Sequence, residues 1–113
     1  MKKRSKSETF KKVIIGNKMI IKLNGRIDAE AAEFEKKLEE DLRGVDKLVF
    51  DFKTVDSITS AGLRVLSSTQ KSMKKHHGNM VIRNASDEVR EYFEATGFDE
   101  ILTIEDRKHR IAS

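Results

Sequence analysis

The residues best suited to chemistry are the adjacent hydroxyls of Thr59 and Ser60, followed by Ala61-Gly62 between an apolar run and a helical pattern. A serine at a helix start commonly serves as the N-cap, which stabilises the helix by about 1 kcal/mol. It can also accept a phosphate, because unbonded N–H groups and the positive dipole end favour negative charge there. Both roles can coexist, since a hydroxyl can cap the helix until it is modified. Gly62, which lacks a side chain, would let another protein approach closely.

The other groups of residues that could carry chemistry do not favour catalysis. His76 and His77 are neighbours, so on a helix they point apart and make a poor metal pair. The chain has no Cys and no glycine-rich phosphate-binding motif, and no Ser/His/Asp triad can be assembled from it. An acidic stretch alternates with lysines and is typical of a solvated helix face: Glu33, Glu35, Glu39, Glu40 and Asp41. We therefore expect no enzyme activity, no metal site and no cofactor.

The charge distribution separates a folded body from two basic ends. The 113 residues carry a formal charge of +4, yet residues 1–12 hold six bases and one acid, and residues 107–113 hold three bases and no acid. The segment between them is mildly acidic, unlike a nucleic-acid-binding face. Since no run of about 20 apolar residues and no signal sequence occurs, we expect a cytoplasmic protein without membrane insertion. The predicted organisation is a tail over 1–9, one domain over 10–106 and a tail over 107–113.

The first half of the domain predicts a hairpin, a helix and a buried strand. Two β-rich runs, 10–15 and 19–23, flank Gly16-Asn17, and Asn24-Gly25 is expected to end the second strand. A helix is predicted from Asp28 to Gly44. Residues 47–52 form a nearly continuous apolar run typical of a central strand, and the polar segment 53–59 predicts a loop.

The second half alternates helices and short strands. Helices are predicted from Ser60 to about Lys75 and from Ser86 to Gly97, with strands at 80–82 and 101–104. The first of these helices is rich in small residues, which suits either close packing on the sheet or a flat partner surface. The order β-β-α-β-α-β-α-β predicts an α/β domain with a mixed, mostly parallel sheet of about five strands. Functional residues are expected where strands end and helices begin.

Three segments resemble the STAS domain family. Leu23-Asn24-Gly25-Arg26-Ile27-Asp28 is similar to its G-x-x-D motif, and 48–66 is similar to its strand, loop and helix start. Ala95-Thr96-Gly97-Phe98 is similar to its last helix-to-strand turn. Together they cover about residues 10–105. The resemblance implies a STAS-like fold of the anti-sigma factor antagonist type, in which the first Ser of an Asp-Ser-Ser-Gly motif is phosphorylated.

Position by position, that first Ser is Ser60, the second Ser is Ala61, and Thr59 stands where the motif has Asp. The resemblance implies that the unphosphorylated domain binds an anti-sigma factor with an ATPase-type serine kinase fold and is released by phosphorylation at Ser60, with Thr59 as the less favoured acceptor. The implied partner surface comprises Asp28, Ser57, Thr59, Ser60, Ala61, Gly62 and Arg64. Because Thr59 departs from the motif, a second hypothesis stays open: a non-enzymatic subunit of a lipid ABC transporter or a stress-sensing complex. Either protein is expected to be a monomer or a weak dimer.

Overall fold

The computed structural model describes residues 10–28 and 41–105. Four strands form one mixed sheet in the order β1-β2-β3-β4, with bounds Phe10–Ile15, Lys18–Ile27, Lys47–Ile58 and Asn79–Arg83. β1 and β2 are antiparallel, whereas β2, β3 and β4 are parallel. Two helices are described, α1 (Ser60–Lys75) and α2 (Asp87–Thr96), followed by a 3-10 turn over Phe98–Glu100. The predicted α/β domain with a mixed sheet is confirmed.

The predicted hairpin forms as the sequence indicates. Ile15 pairs with Lys18, so Gly16-Asn17 is a two-residue loop, and Gly16 takes a φ of 62° that favours glycine. Along β2, Met19, Ile21 and Leu23 are fully buried while the intervening side chains are not. β2 therefore presents one apolar face to the core.

The core lies between one face of the sheet and the two described helices. α1 contributes Leu63, Leu66 and Met73, and α2 contributes Val89 and Phe93. They pack on alternate residues of β2, β3 and β4, listed here: Met19, Ile21, Leu23, Leu48, Phe50, Phe52, Met80 and Ile82. Among the small residues of α1, Ser68 is exposed and Ser67 is half-buried. This helix therefore packs on the sheet along one side and presents polar groups to solvent along the other.

Two predicted boundaries are wrong, and the predicted fifth strand is not confirmed. β2 does not end at Asn24-Gly25; it passes through two register shifts, with Gly25 at a φ of 71°, and continues to Ile27. The predicted loop 53–59 is mostly strand, because β3 follows β2 as far as Ile58. The predicted fifth strand is reduced to a single bridge between Ile82 and Ile104. The helix predicted from Asp28 falls largely on residues outside those described.

Candidate functional site

The carboxyl ends of β2 and β3 build the site. Their last paired residues are Ile27 and Ile58, so the chain leaves the sheet at two adjacent points. Asp28 follows the first point and is half-buried, and α1 begins just after the second. Ser57 is exposed one residue before the end of β3. The sheet edge therefore brings together the two segments that the sequence singled out, as expected for parallel strands.

Thr59 joins these two segments. Its backbone N–H donates to the Ile27 carbonyl oxygen at 3.0 Å, and its Oγ1 hydroxyl donates to the same oxygen at 3.3 Å. Oγ1 also accepts from the Gly62 N–H at 3.4 Å, while the backbone of Thr59 is extended, with φ −99° and ψ 174°. These are the features of a helix N-cap. The N-cap is thus Thr59, and the expectation that Ser60 fills this role is wrong.

Ser60 is the first residue of α1 and is exposed. Since Thr59 already caps the helix, the Ser60 hydroxyl does not serve as its N-cap. The first turn of α1 carries no acidic residue, and the backbone N–H groups at a helix start lack intrahelical acceptors. A negative charge on Ser60 would therefore meet a favourable dipole and no neighbouring carboxylate within that turn.

Gly62 has a packing role that the sequence did not predict. It is buried, and a Cβ built on it would lie 2.6 Å from the Ile27 carbonyl oxygen and 2.8 Å from Ile58 Cγ1. Its missing side chain makes room for the ends of β2 and β3, while the close approach of another protein at this glycine stays a prediction. Ala61 is half-buried and Arg64 is exposed one turn along the helix.

The Ile27 carbonyl oxygen was not among the predicted site groups, yet it accepts both Thr59 hydrogen bonds and lies closest to a Cβ built on Gly62. Ile27 was expected between the end of a strand at Asn24-Gly25 and the start of a helix at Asp28, and not within a strand. A backbone acceptor leaves no trace in residue type. Val55 and Ile58 are both buried, but their spacing of three residues is not that of a strand and does not reveal that β3 extends this far.

We expect Thr59→Ala to lower the free energy of unfolding by about 1 kcal/mol, because it removes the N-cap acceptor and the side-chain hydrogen bond to Ile27. Thr59→Ser keeps both groups and is expected to stay within about 0.5 kcal/mol of the wild type. Urea unfolding of the three proteins measures the difference. Equal losses in both variants would show that the methyl group, not the hydroxyl, stabilises this junction.

Within residues 10–28 and 41–105, no group of three or more His, Cys, Asp or Glu side chains is arranged to hold a metal ion. His76 ends α1 as its C-cap residue, with its ring Nδ1 2.9 Å from the Ser72 carbonyl oxygen, and His77 follows with a φ of 64°. Across the same part of the chain, neither helix has the length and apolar character needed to cross a membrane.

The sequence of this chain matches one family model and is similar to one named bacterial protein. Residues 9–111 match the family model described as STAS domain. The Bordetella bronchiseptica protein BtrV, named as an anti-sigma factor antagonist, is 33% identical over 86 residues, which cover 76% of this chain and 73% of BtrV.

Two solved structures share the fold. The anti-sigma factor antagonist SpoIIAA in its unphosphorylated form superposes with a TM-score of 0.74 at 19% identity, covering 90% of this chain and 92% of SpoIIAA. The phosphorylated form of SpoIIAA, described as a Bacillus cell fate determinant, gives a TM-score of 0.68 at 18% identity, covering 91% and 96%.

Proposed function

The chain belongs to the STAS domain family, and from this premise we propose that it is an anti-sigma factor antagonist switched by phosphorylation at Ser60. When unphosphorylated, it binds an anti-sigma factor with an ATPase-type serine kinase fold and thereby frees a sigma factor. Phosphorylation of Ser60 by that partner ends the complex. The domain is a kinase substrate and a binding module, with no catalytic residue of its own.

The proposal rests on one observation about the start of α1. The hydroxyl that caps the helix and the hydroxyl that is exposed belong to different residues, Thr59 and Ser60. Thr59 is half-buried and bonded to Ile27 and Gly62, whereas Ser60 is exposed. A kinase needs an accessible hydroxyl, so Ser60 is the acceptor and Thr59 holds it in place. Thr59 thereby supplies the cap at the position where the family motif has Asp.

The geometry also supports a switch that leaves the fold intact. A phosphate on Ser60 adds about −1.5 to −2 charges next to the positive end of the helix dipole, which stabilises it. In the complex the same charge would be desolvated against the partner, and an unpaired interfacial charge typically costs 2–5 kcal/mol. The fold is shared with SpoIIAA structures in unphosphorylated and phosphorylated forms, which supports this view.

The partner is tested by affinity capture from native lysate with three baits, the wild type, Ser60→Ala and Ser60→Asp, followed by mass spectrometry. We expect an ATPase-type kinase on the first two baits and its loss from the third. Capture of permease or transport ATPase subunits equally by all three baits would contradict the switch. That result would instead support the role of an ABC transporter subunit.

A further inference from the structure

β1 forms one edge of the sheet, and its apolar second half is open to solvent. In the strand order β1-β2-β3-β4 it pairs with β2 alone, and that pairing runs without a bulge. The side chains of Val13, Ile14 and Ile15 are 44%, 55% and 60% exposed. Ile14 is paired with the buried Met19 and so lies on the core side of the sheet, while its two neighbours lie on the other side. An edge strand with exposed β-branched side chains is a template for pairing with another strand.

This edge is weakly protected against such pairing. At the opposite edge, β4 is bridged by Ile104, which pairs with Ile82. β1 contains neither a proline nor a bulge, and the features that commonly discourage pairing are limited to its two charges, Lys11 and Lys12. The Lys12 ammonium forms an ion pair with the Asp41 carboxylate, so one of these charges is already neutralised within the chain.

The hairpin fixes which backbone groups of β1 face outward. Ile15 and Lys18 close the two-residue loop, and such a closing pair exchanges hydrogen bonds. Because hydrogen-bonded and non-hydrogen-bonded pairs alternate along an antiparallel ladder, Val13 also turns its backbone groups toward β2. The N–H and C=O groups of Lys12 and Ile14 therefore point away from β2, at the open edge. A further strand that joins the sheet would bond to these groups.

The outward groups are arranged so that a second copy of β1 fits them. For two antiparallel copies to match both these groups and the faces of the sheet, the two-fold axis must pass through Lys12, Val13 or Ile14. An axis at Lys12 sets two like charges directly opposite each other, which is destabilising. An axis at Ile14 pairs residues 13–15 alone. An axis at Val13 pairs residues 11–15 and lets Lys12 and Ile14 of the two copies exchange hydrogen bonds in both directions.

The axis at Val13 also keeps the lysines of the two copies apart. Each Lys11 then faces Ile15 of the other copy, and each Lys12 faces Ile14, so that lysine stems cover isoleucine side chains. The two Val13 side chains meet at the axis and bury surface that is exposed in the single chain. We propose that two copies of this protein associate through β1, antiparallel about Val13, and thereby join their sheets into one.

The proposed interface is small and separate from the site at Ser60. With one strand from each copy, it buries less than the roughly 800 Å² per partner of a standard stable interface, so the dissociation constant is expected on the order of 100 μM. Ser60 follows the end of β3, and β2 lies between β3 and β1. Association through β1 therefore does not depend on phosphorylation, and either proposal can fail without the other.

The test is sedimentation velocity of the full chain from about 10 to about 500 μM, a range that brackets the expected dissociation constant. We expect a monomer at the lower end and mostly dimer at the upper end. Amide hydrogen exchange at the two concentrations locates the contact. The N–H groups of Lys12 and Ile14 should exchange roughly threefold more slowly in the concentrated sample, whereas that of Val13, which faces β2, should change little.

Val13→Lys and Val13→Glu are the decisive variants, because each sets like charges opposite each other at the axis. Each alone should weaken association about tenfold or more, and an equimolar mixture of the two should restore it. Ile101→Lys is the matched control, since Ile101 is 43% exposed but lies outside β1, and it should associate like the wild type. Circular dichroism checks that all three variants melt like the wild type. A wild type that stays monomeric throughout, an equal loss in Ile101→Lys, or a mixture no better than its components would each overturn the proposal.

Discussion

Ser60→Asp is expected to weaken binding of the anti-sigma factor about 100-fold, which corresponds to about 3 kcal/mol. The substitution places a carboxylate on an exposed residue that the proposed complex covers. Because the first turn of α1 has no acidic residue, the new charge is expected to stabilise the free protein by about 0.3–1 kcal/mol. Binding and stability should therefore move in opposite directions, which a merely unfolded variant could not produce.

Two controls isolate the effect of charge at this position. Ser60→Ala removes the hydroxyl without adding charge and should change affinity by less than about tenfold. Asn79→Asp adds one carboxylate at the amino end of β4, the opposite end of the sheet from Ser60, and should leave affinity unchanged. Calorimetric titration of each protein with the partner gives the affinities. An equal loss for Ser60→Asp and Asn79→Asp would attribute the effect to net charge instead of to the site.

Gly62→Ala is expected to destabilise the fold by about 2 kcal/mol, a fall in melting temperature of about 10 °C. In an open helix the same change would stabilise by about 1 kcal/mol, because alanine is the better helix former. Here the new methyl group would lie 2.6 Å from the Ile27 carbonyl oxygen and 2.8 Å from Ile58 Cγ1. Since the first of these is backbone, α1 must shift away from the end of β2.

The matched control is Ser68→Ala, an exposed position on the same helix, where the change should stay within about 0.5 kcal/mol. Thermal unfolding by circular dichroism measures both variants. A Gly62→Ala protein more stable than the wild type would show that the helix start is free to adjust. The close packing of α1 against β2 would then not be what positions Ser60.

Much of the fold could be predicted from the sequence where its pattern is regular. Alternation in β2, the apolar run in β3 and the Ser86 cap of α2 each led to the right element. The distal half of β3 did not, because its buried residues Val55 and Ile58 are three apart rather than two. That spacing accompanies the register shifts between β2 and β3, which depend on a partner strand that the local sequence cannot reveal.

The meeting of the segments at Asp28 and Ser60 was predicted from the sequence, but the different environments of the Thr59 and Ser60 hydroxyls were not. Thr59 and Ser60 are both competent caps by residue type, so only the backbone angles and the Ile27 carbonyl decide between them. The close packing at Gly62 was likewise not predicted. Its neighbour Ile27 lies 35 positions earlier in the chain, and the strand extension that brings it close was not expected.

The measurement that tests the central claim most directly is phosphosite mapping after incubation of the protein with its ATPase-type partner and ATP. We predict a single phosphate on Ser60, none on the Ser60→Ala variant, and dissociation of the complex as the phosphate accumulates. Phosphate on Thr59 or Ser57 in the wild type, or a complex that persists after Ser60 is fully phosphorylated, would contradict the account.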